Sequence, residues 1–211
     1  MQVTQIADGL WWWTTHYGEW GEVVGCAYLE ADDAIVLIDP LVPEEPAEAD
    51  RFWRALDRDV KRASVPVHVL ITVYWHVRSA RAMVDRYDAK VHAPTGGRGP
   101  VARRVGVPPS TYSPGDALPG GVRSFPTVRR SEVAFWIPAH WTLVVGDVVH
   151  GAGAGRLRFC PPSWLPEGLH AKLPSAFAPL AELPVGRVLT SHGEPVLRHG
   201  RRALRALVAG A

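Results

Sequence analysis

Short apolar runs rich in valine and isoleucine recur along this chain, separated by segments with a helical spacing of apolar residues. The runs are AIVLID (34–39), VHVLITV (67–73), KVHA (90–93), VAFWI (133–137), WTLVVGD (141–147) and RVLTS (187–191). Runs of this length and β-branched content predict strands. Several are continuous enough to indicate a sheet that is covered on both faces.

Three segments have the spacing of amphipathic helices. The clearest places apolar side chains at i, i+3, i+4, i+7 and i+11, namely Ala49, Phe52, Trp53, Leu56 and Val60. A second stripe, with Ser79 as its predicted N-cap, consists of Ala80, Met83, Val84 and Tyr87. The third is the arginine-faced C-terminal segment 201–210. Strands that alternate with helices predict a layered α/β fold.

The chain has 211 residues, enough for one sizeable core. A Pro/Gly-rich stretch, residues 92–121, divides it near the middle. Each half alone has few strands and helices with which to close a core. We therefore predict a single domain, residues 1–211, built from two half-units that are divided near 92–121 and share one core.

Charge and cysteine content narrow the classes of partner and compartment. There are 23 basic and 21 acidic residues, a net charge of +2, which is too balanced to attract nucleic acid or an anionic membrane. Cys26 and Cys160 are too few for a disulfide scaffold and fit a reducing compartment. No segment approaches the roughly 18 consecutive apolar residues of a membrane span. We expect a soluble, cytoplasmic protein.

A glycine-rich segment, GAGAGR (151–156), follows a strand as dinucleotide-binding loops do. However, Arg156 stands where the third glycine of that motif belongs, and Pro161 and Pro162 follow instead of a helix. We interpret this segment as a surface loop. Ser191 next to His192 is not a catalytic pair, because neighbours on a strand point to opposite faces.

Four segments in order carry a more specific pattern: VLIDP (36–40), VLITVYWHVRSA (69–80), GDVVHG (146–151) and VLTSHGEP (188–195). Together they resemble the metallo-β-lactamase superfamily over nearly the whole chain. The resemblance implies a four-layer αββα sandwich, in which histidines and aspartates hold one or two metal ions that activate water for hydrolysis. Imidazole and carboxylate are suitable ligands for zinc.

The chain departs from the family pattern at most of the metal ligands. Aligned from Thr72, the family's Thr-His-x-His-x-Asp-His motif places its ligands on Val73, Trp75, Val77 and Arg78, and a later histidine ligand falls on Val128. Valine and tryptophan offer no lone pair to a metal, and the arginine side chain stays protonated. The chain has therefore lost most of the ligands that the resemblance implies.

The later ligand positions persist. The resemblance places Asp147 at the metal-bridging aspartate, His192 at the final histidine and Asp39 at an aspartate near the metal site. His76 lies one residue beyond the second ligand position. The other seven histidines show no ligand spacing, and we expect them at the surface or on strands: His16, His68, His92, His140, His150, His170 and His199.

Our first hypothesis is a metal-free member of the fold. A buried carboxylate without its cation needs another positive partner. We expect Arg78 to form a charge-assisted bond to Asp147, with His192 or His76 alongside. The former cleft would then bind a small-molecule ligand or a partner, without metal or other cofactor. Its expected pocket residues are Asp39, Trp75, Val73 and Val128.

Two catalytic alternatives remain open. In one, His76, Asp147 and His192 hold a single zinc, manganese or iron ion, and the protein hydrolyses an ester, thioester or lactone. In the other, His76, Arg78 and Asp147 act without a metal, with His76 as general base. A third possibility for His76 is a buried ring that simply bonds to the backbone or to Asp147. The candidate catalytic residues are thus His76, Arg78, Asp147 and His192.

Overall fold

The first half of the chain forms a seven-stranded sheet whose strands follow one another in sequence order. The computed structural model describes residues 1–210. The strands are β1 (Gln2–Ala7), β2 (Leu10–Tyr17), β3 (Glu22–Glu30), β4 (Ile35–Ile38), β5 (Val67–Leu70), β6 (Lys90–Pro94) and β7 (Ser110–Tyr112). Strands β1 to β4 pair antiparallel, and β4 to β7 pair parallel.

The second half forms a four-stranded sheet and a separate hairpin. In chain order its strands are β8 (Arg123–Pro126), β9 (Val133–Ile137), β10 (Thr142–Val145), the hairpin strands β11 (Val149–Gly151) and β12 (Leu157–Phe159), and β13 (Arg187–Thr190). The sheet order is β13-β10-β9-β8, with β10 and β13 parallel. Both sheets therefore contain parallel neighbours.

Helices cover the outer face of each sheet. The helices are α1 (Pro46–Ala63), α2 (Ala80–Tyr87), α3 (Arg98–Val105), α4 (Leu173–Glu182) and α5 (Gly200–Ala209). Side chains of α1, α2 and α3 pack on Ile35 and Leu37 of β4, whereas the alternate residues Val36 and Ile38 join an apolar layer between the two sheets. Helices α4 and α5 cover the second sheet in the same way. The result is the predicted four-layer αββα sandwich.

The six apolar runs each contain a strand, and the three periodic segments are helices. Residues 92–121 contain α3 and β7 and complete the first sheet. Ser79 directly precedes α2, but its side chain makes no cap bond to the helix, because Ser79 Oγ accepts from Val42 N instead. Within residues 1–210, no helix combines the length and apolar character needed to span a membrane.

The topology brings four loops to one edge of the sandwich. Asp39 follows β4 and Thr72 follows its parallel neighbour β5, while Asp147 follows β10 and His192 follows its parallel neighbour β13. The carboxyl ends of parallel strands lie at the same edge of a sheet, which is where open α/β folds place ligands. The polar residues that follow these strands thus meet across the two half-units.

Candidate functional site

His76 lies at the centre of this edge and is completely buried. Its Nδ1 is 2.8 Å from Oδ2 of Asp39, and its Nε2 is 2.9 Å from Oδ1 of Asp147. A neutral imidazole carries only one N–H, so it cannot donate to both carboxylates. The ring therefore needs either a second proton or a cation between Nε2 and Asp147.

The two ring nitrogens of His76 differ in how well they are satisfied. Nδ1 forms a hydrogen bond with Asp39. Nε2 is close to Asp147 but lacks the alignment of a hydrogen bond, and it has no hydrogen-bond partner among residues 1–210. A buried polar atom without a partner costs roughly 1–3 kcal/mol, so this nitrogen is suited to a ligand.

His192 repeats the arrangement from the other half-unit. Its Nε2 is 3.2 Å from Oδ1 of Asp147, and its Nδ1 is 3.0 Å from Oε2 of Glu22 on β3. One ligand atom each from His76, Asp147 and His192 lies within 4.8 Å of the others. Metal-binding histidines characteristically donate their second ring N–H to a carboxylate, which is the position of Asp39 and Glu22 here.

Asp39 is fixed in place behind His76. It is 2% exposed and directly follows β4, with a left-handed backbone (φ 49°). Its Oδ1 accepts from Thr72 N at 2.8 Å, and its Oδ2 accepts from Thr72 Oγ1 as well as from His76. A carboxylate that is held by several donors on a neighbouring strand end has little freedom to move. It therefore fixes the orientation of the His76 ring and is placed to accept a hydrogen bond from Nδ1.

The electrostatics of the site favour opposite charges on His76 and Asp147. Burial raises the pKa of Asp147, but the charges of His76 and His192, together with the hydrogen bond from His192, outweigh burial and hold this pKa well below its ordinary value. Burial lowers the pKa of His76, yet Asp147 and Asp39 together outweigh burial and Arg78, and the net pKa is raised. These two shifts favour a positive charge at the place that a metal cation would take.

Three tryptophans surround the opening to these residues. A cavity of about 240 Å³, here called the tryptophan pocket, is lined by Trp20, Glu22, Trp75, Asp147, Trp164 and His192. Trp75 Nε1 also donates a 2.6 Å hydrogen bond to Oδ2 of Asp147. The pocket therefore has apolar walls and a polar floor of one carboxylate and one imidazole.

His150 adds a third imidazole ring beside the site. It was not among the candidate site residues predicted from the sequence. It is 4% exposed, and its Nε2 donates to the main-chain oxygen of Asp147 at 2.9 Å. Its ring centroid is 5.2 Å from that of His192 and 5.1 Å from that of Trp164. The only feature of the sequence that could have indicated a role for His150 is its position three residues after Asp147. It supports the loop that carries the carboxylate.

Glu132 and Arg129 form a buried ion pair next to Trp75 and to the loop that carries Asp147. Glu132 Oε1 accepts from Val148 N at 2.9 Å, and its Oε2 is 2.8 Å from Arg129 Nη1. Burial and the charge of Asp147 raise the pKa of Glu132 to about 7, against the lowering effect of Arg129. The Arg129 guanidinium lies 5.0 Å from the centroid of the Trp75 ring. Neither member of this pair was identified from the sequence.

The expected bond between Arg78 and Asp147 is wrong. Arg78 Nη1 donates to the main-chain oxygens of Gly25 at 3.1 Å and of Asp39 at 3.0 Å, and within the described part of the chain Arg78 forms no ion pair. Its backbone is left-handed (φ 39°). The Arg78 side chain binds buried carbonyls of the first sheet. Asp147 instead accepts hydrogen bonds from Trp75 and His192, and it lies 2.9 Å from His76 Nε2.

The remaining residues proposed from sequence occupy different environments. Trp75 lines the tryptophan pocket, and Asp39 lies behind His76. Val73 is fully buried and forms a β-bridge with Glu132, while Val128 is half-buried against the core beneath α4 and α5. Neither valine is among the described residues that line the tryptophan pocket. Both gain more from apolar packing than from an opening to solvent.

A second pair of histidines also escaped sequence analysis. His68 on β5 and His92 on β6 lie side by side, with Nδ1 of the first 2.8 Å from Nε2 of the second. Burial, followed by charge repulsion, lowers the pKa of both, that of His92 to about 4. They precede the site edge along their strands and share no contact with Asp147 that the structure of residues 1–210 shows.

Comparisons with known proteins give a consistent picture of the fold. No protein-family model and no curated protein matches the sequence. Solved structures do match, among them a metallo-beta-lactamase from Pontibacter korlensis at 20% identity, covering 97% of this chain and 98% of that one with a TM-score of 0.67.

Two further structures extend the comparison. A metallo-beta-lactamase family protein from Thermus thermophilus is 16% identical, with coverage of 98% and 80% and a TM-score of 0.66. The metallo-beta-lactamase FIM-1 from Pseudomonas aeruginosa, in its mono-zinc form, is 16% identical, with coverage of 99% and 95% and a TM-score of 0.66. Together with the four-layer architecture, these matches show that the chain has the metallo-β-lactamase fold.

Proposed function

We propose that His76, Asp147 and His192 hold one divalent metal ion, and that the protein hydrolyses small ester, thioester or lactone substrates. The observation that carries this proposal is the buried Nε2 of His76, which faces Asp147 and His192 without a hydrogen-bond partner among the described residues. Two imidazoles and one carboxylate form a donor set suited to zinc, manganese or iron.

The second ring nitrogen of each histidine supports the same conclusion. Asp39 holds a proton on Nδ1 of His76, and Glu22 can do so on Nδ1 of His192. Each Nε2 is then left with the lone pair that a metal requires. Trp75 meanwhile holds Oδ2 of Asp147 and leaves Oδ1 directed at the histidines. The chain's own hydrogen bonds thus prepare three ligand atoms at one point.

When bound there, a divalent ion would polarise a substrate carbonyl and lower the pKa of water, which supplies a nucleophile near neutral pH. The role of the protein is to position the substrate and to exclude solvent from it. Trp20, Trp75 and Trp164 enclose the apolar part of a substrate, while Glu22 at the rim disfavours an anionic one. A volume of about 240 Å³ restricts the choice to small molecules. Neutral esters, thioesters and lactones meet these conditions.

A hydrolysis assay tests this function. The purified chain is loaded with zinc, manganese or ferrous iron and is given p-nitrophenyl acetate, S-phenyl thioacetate and γ-butyrolactone. We expect hydrolysis of at least one substrate to depend on metal and to fall by about 100-fold or more in Asp147→Asn and His192→Gln, because one ligand is lost. His16→Gln, an exposed histidine outside the site, is the matched control and retains activity. Failure of all three substrates with every metal, or full activity in Asp147→Asn, would refute the proposal.

One observation favours a second candidate, a metal-free ligand-binding protein. Asp147 already has three nitrogen neighbours, from Trp75, His76 and His192, which can balance its charge without an ion. In that case a neutral small molecule would bind in the tryptophan pocket and raise the melting temperature in the presence of EDTA. A Trp164→Ala variant would lose this shift. A melting temperature that responds to zinc but to no small molecule in EDTA would exclude this second candidate.

A further inference from the structure

A second cavity lies between helix α1 and the N-terminal strands. It has a volume of about 310 Å³, at the lower end of the range for small-molecule sites. Its walls include Trp11, Trp13, Tyr28, Leu37, Phe52 and Leu56. Among the described residues, it shares none of its lining with the tryptophan pocket. We call it the α1 cavity.

The walls of the α1 cavity present hydrocarbon and ring faces. The rings of Trp13 and Phe52 lie 5.6 Å apart, and those of Trp11 and Tyr28 lie 5.4 Å apart in an edge-to-face arrangement. Two polar groups of these walls are already bonded, because Trp13 Nε1 donates to Leu41 O and the Tyr28 hydroxyl donates to Glu30. The interior is thus suited to an apolar group.

The rim of the α1 cavity contains one cation without a partner. Arg58 is exposed and forms no hydrogen bond or ion pair with any other residue in the range 1–210. The other charged groups among the lining residues are paired, since Asp59 is 3.2 Å from Arg62 and the α-amino group of Met1 is 3.4 Å from Glu48. Val3 also lines the cavity and is 51% exposed, so that an apolar side chain meets solvent at the opening. An anionic head group would find a free guanidinium next to an apolar interior.

We propose that the α1 cavity binds a small amphipathic carboxylate, with a hydrocarbon part of about eight carbons between the aromatic walls and the carboxylate on Arg58. Cavity volume limits the length of the hydrocarbon part. Guanidinium and carboxylate match in geometry and form two parallel hydrogen bonds. This site is independent of the proposed metal and of the hydrolytic activity.

Calorimetric titration of the full chain with octanoate and with 1-octanol tests the proposal. We expect Arg58→Gln to weaken octanoate binding by about tenfold or more, because a charge-assisted pair is lost, and to leave octanol binding within about twofold. Arg54→Gln is the matched control, since Arg54 is an exposed arginine of the same helix that does not line the cavity. It should bind both probes as the unmodified chain does. Ala55→Phe, which fills the cavity, should lose both.

Three results would overturn the proposal. They are an absence of octanoate binding to the unmodified chain, equal octanoate affinities in Arg58→Gln and Arg54→Gln, and full binding in a folded Ala55→Phe variant. Arg58 is exposed, so its substitution leaves the core intact. The comparison of the two arginine variants therefore decides the question even where the cavity-filling variant fails to fold.

Discussion

Asp39→Asn is the sharpest perturbation of the candidate site, because it changes one hydrogen-bonding pattern and almost nothing in shape. In the native chain Asp39 Oδ1 accepts from Thr72 N, and Oδ2 accepts from Thr72 Oγ1 and His76 Nδ1. An asparagine keeps the first bond but presents an amide N–H₂ to the other two atoms. His76 must then offer a lone pair at Nδ1, and its proton moves to Nε2. A protonated Nε2 cannot bind a metal.

The size of the effect follows from the role of Asp39 as partner of a metal-binding histidine. Loss of such a partner costs about 10–100-fold in metal affinity, or roughly 1.4–2.7 kcal/mol. The buried bonds to a charged acceptor are also weakened, which lowers the free energy of unfolding by about 1.5–3 kcal/mol. Zinc dissociation constants come from competition with a chromophoric chelator, and unfolding free energies come from urea titration.

Glu22→Gln is the matched control, since it makes the same chemical change at the partner of His192. The side chain of Glu22 is 52% exposed, so water can replace its contact with His192 and the loss of metal affinity should be smaller. A folded Asp39→Asn variant with native zinc affinity would show that Asp39 does not set the proton on His76. The reasoning from tautomer to metal binding would then fail.

Three further predictions concern charge and pH. Zinc competes with the proton on His76, whose pKa is raised, so zinc affinity should fall as the pH decreases, with a limiting slope of about tenfold per pH unit in competition titrations. Arg129→Met leaves Glu132 buried without its partner and should cost about 3–5 kcal/mol in urea unfolding, most of which the double variant with Glu132→Gln should recover. In the folded chain the pKa of His92, beside His68, is lowered to about 4 from the ordinary histidine value of 6.5. As the pH falls below 6.5, His92 is therefore protonated in the unfolded chain before it is protonated in the folded chain. Stability should therefore drop by roughly 1–2 kcal/mol between about pH 6.5 and 4, after allowance for the partial exposure of the ring, and His92→Gln should flatten this dependence.

Much of the fold could be predicted from apolar periodicity. Strand β2 and helix α4 could not, and each has an identifiable reason. Strand β2 has the sequence LWWWTTHY, in which large aromatic side chains lie on both faces, so no alternation marks it as a strand. Helix α4 contains Pro179 in its interior, where proline usually argues against a helix, whereas Pro174 lies in the first turn, where proline is tolerated. In both elements tertiary packing outweighs the local signal, which is why sequence reasoning passed over them.

The candidate site was only partly accessible from sequence. Asp147 and His192 could be placed because each matches, in order, a motif position of the family that the sequence resembles. The role of Arg78 was misjudged, because neither its left-handed backbone nor its hydrogen bonds to Gly25 and Asp39 leave a trace in composition or spacing. Glu22 was missed because it approaches His192 from a strand about 170 residues earlier, a contact that only the pairing of the half-units creates.

The most direct test of the proposed metal site is the metal content of the folded chain. Protein purified without chelator and dialysed against zinc is analysed by inductively coupled plasma mass spectrometry, alongside Asp147→Ala and the control His16→Gln. We expect close to one zinc ion per chain in the native protein and in the control, and almost none in Asp147→Ala. Native protein without zinc, or Asp147→Ala with as much zinc as the native chain, would contradict a metal site at His76, Asp147 and His192.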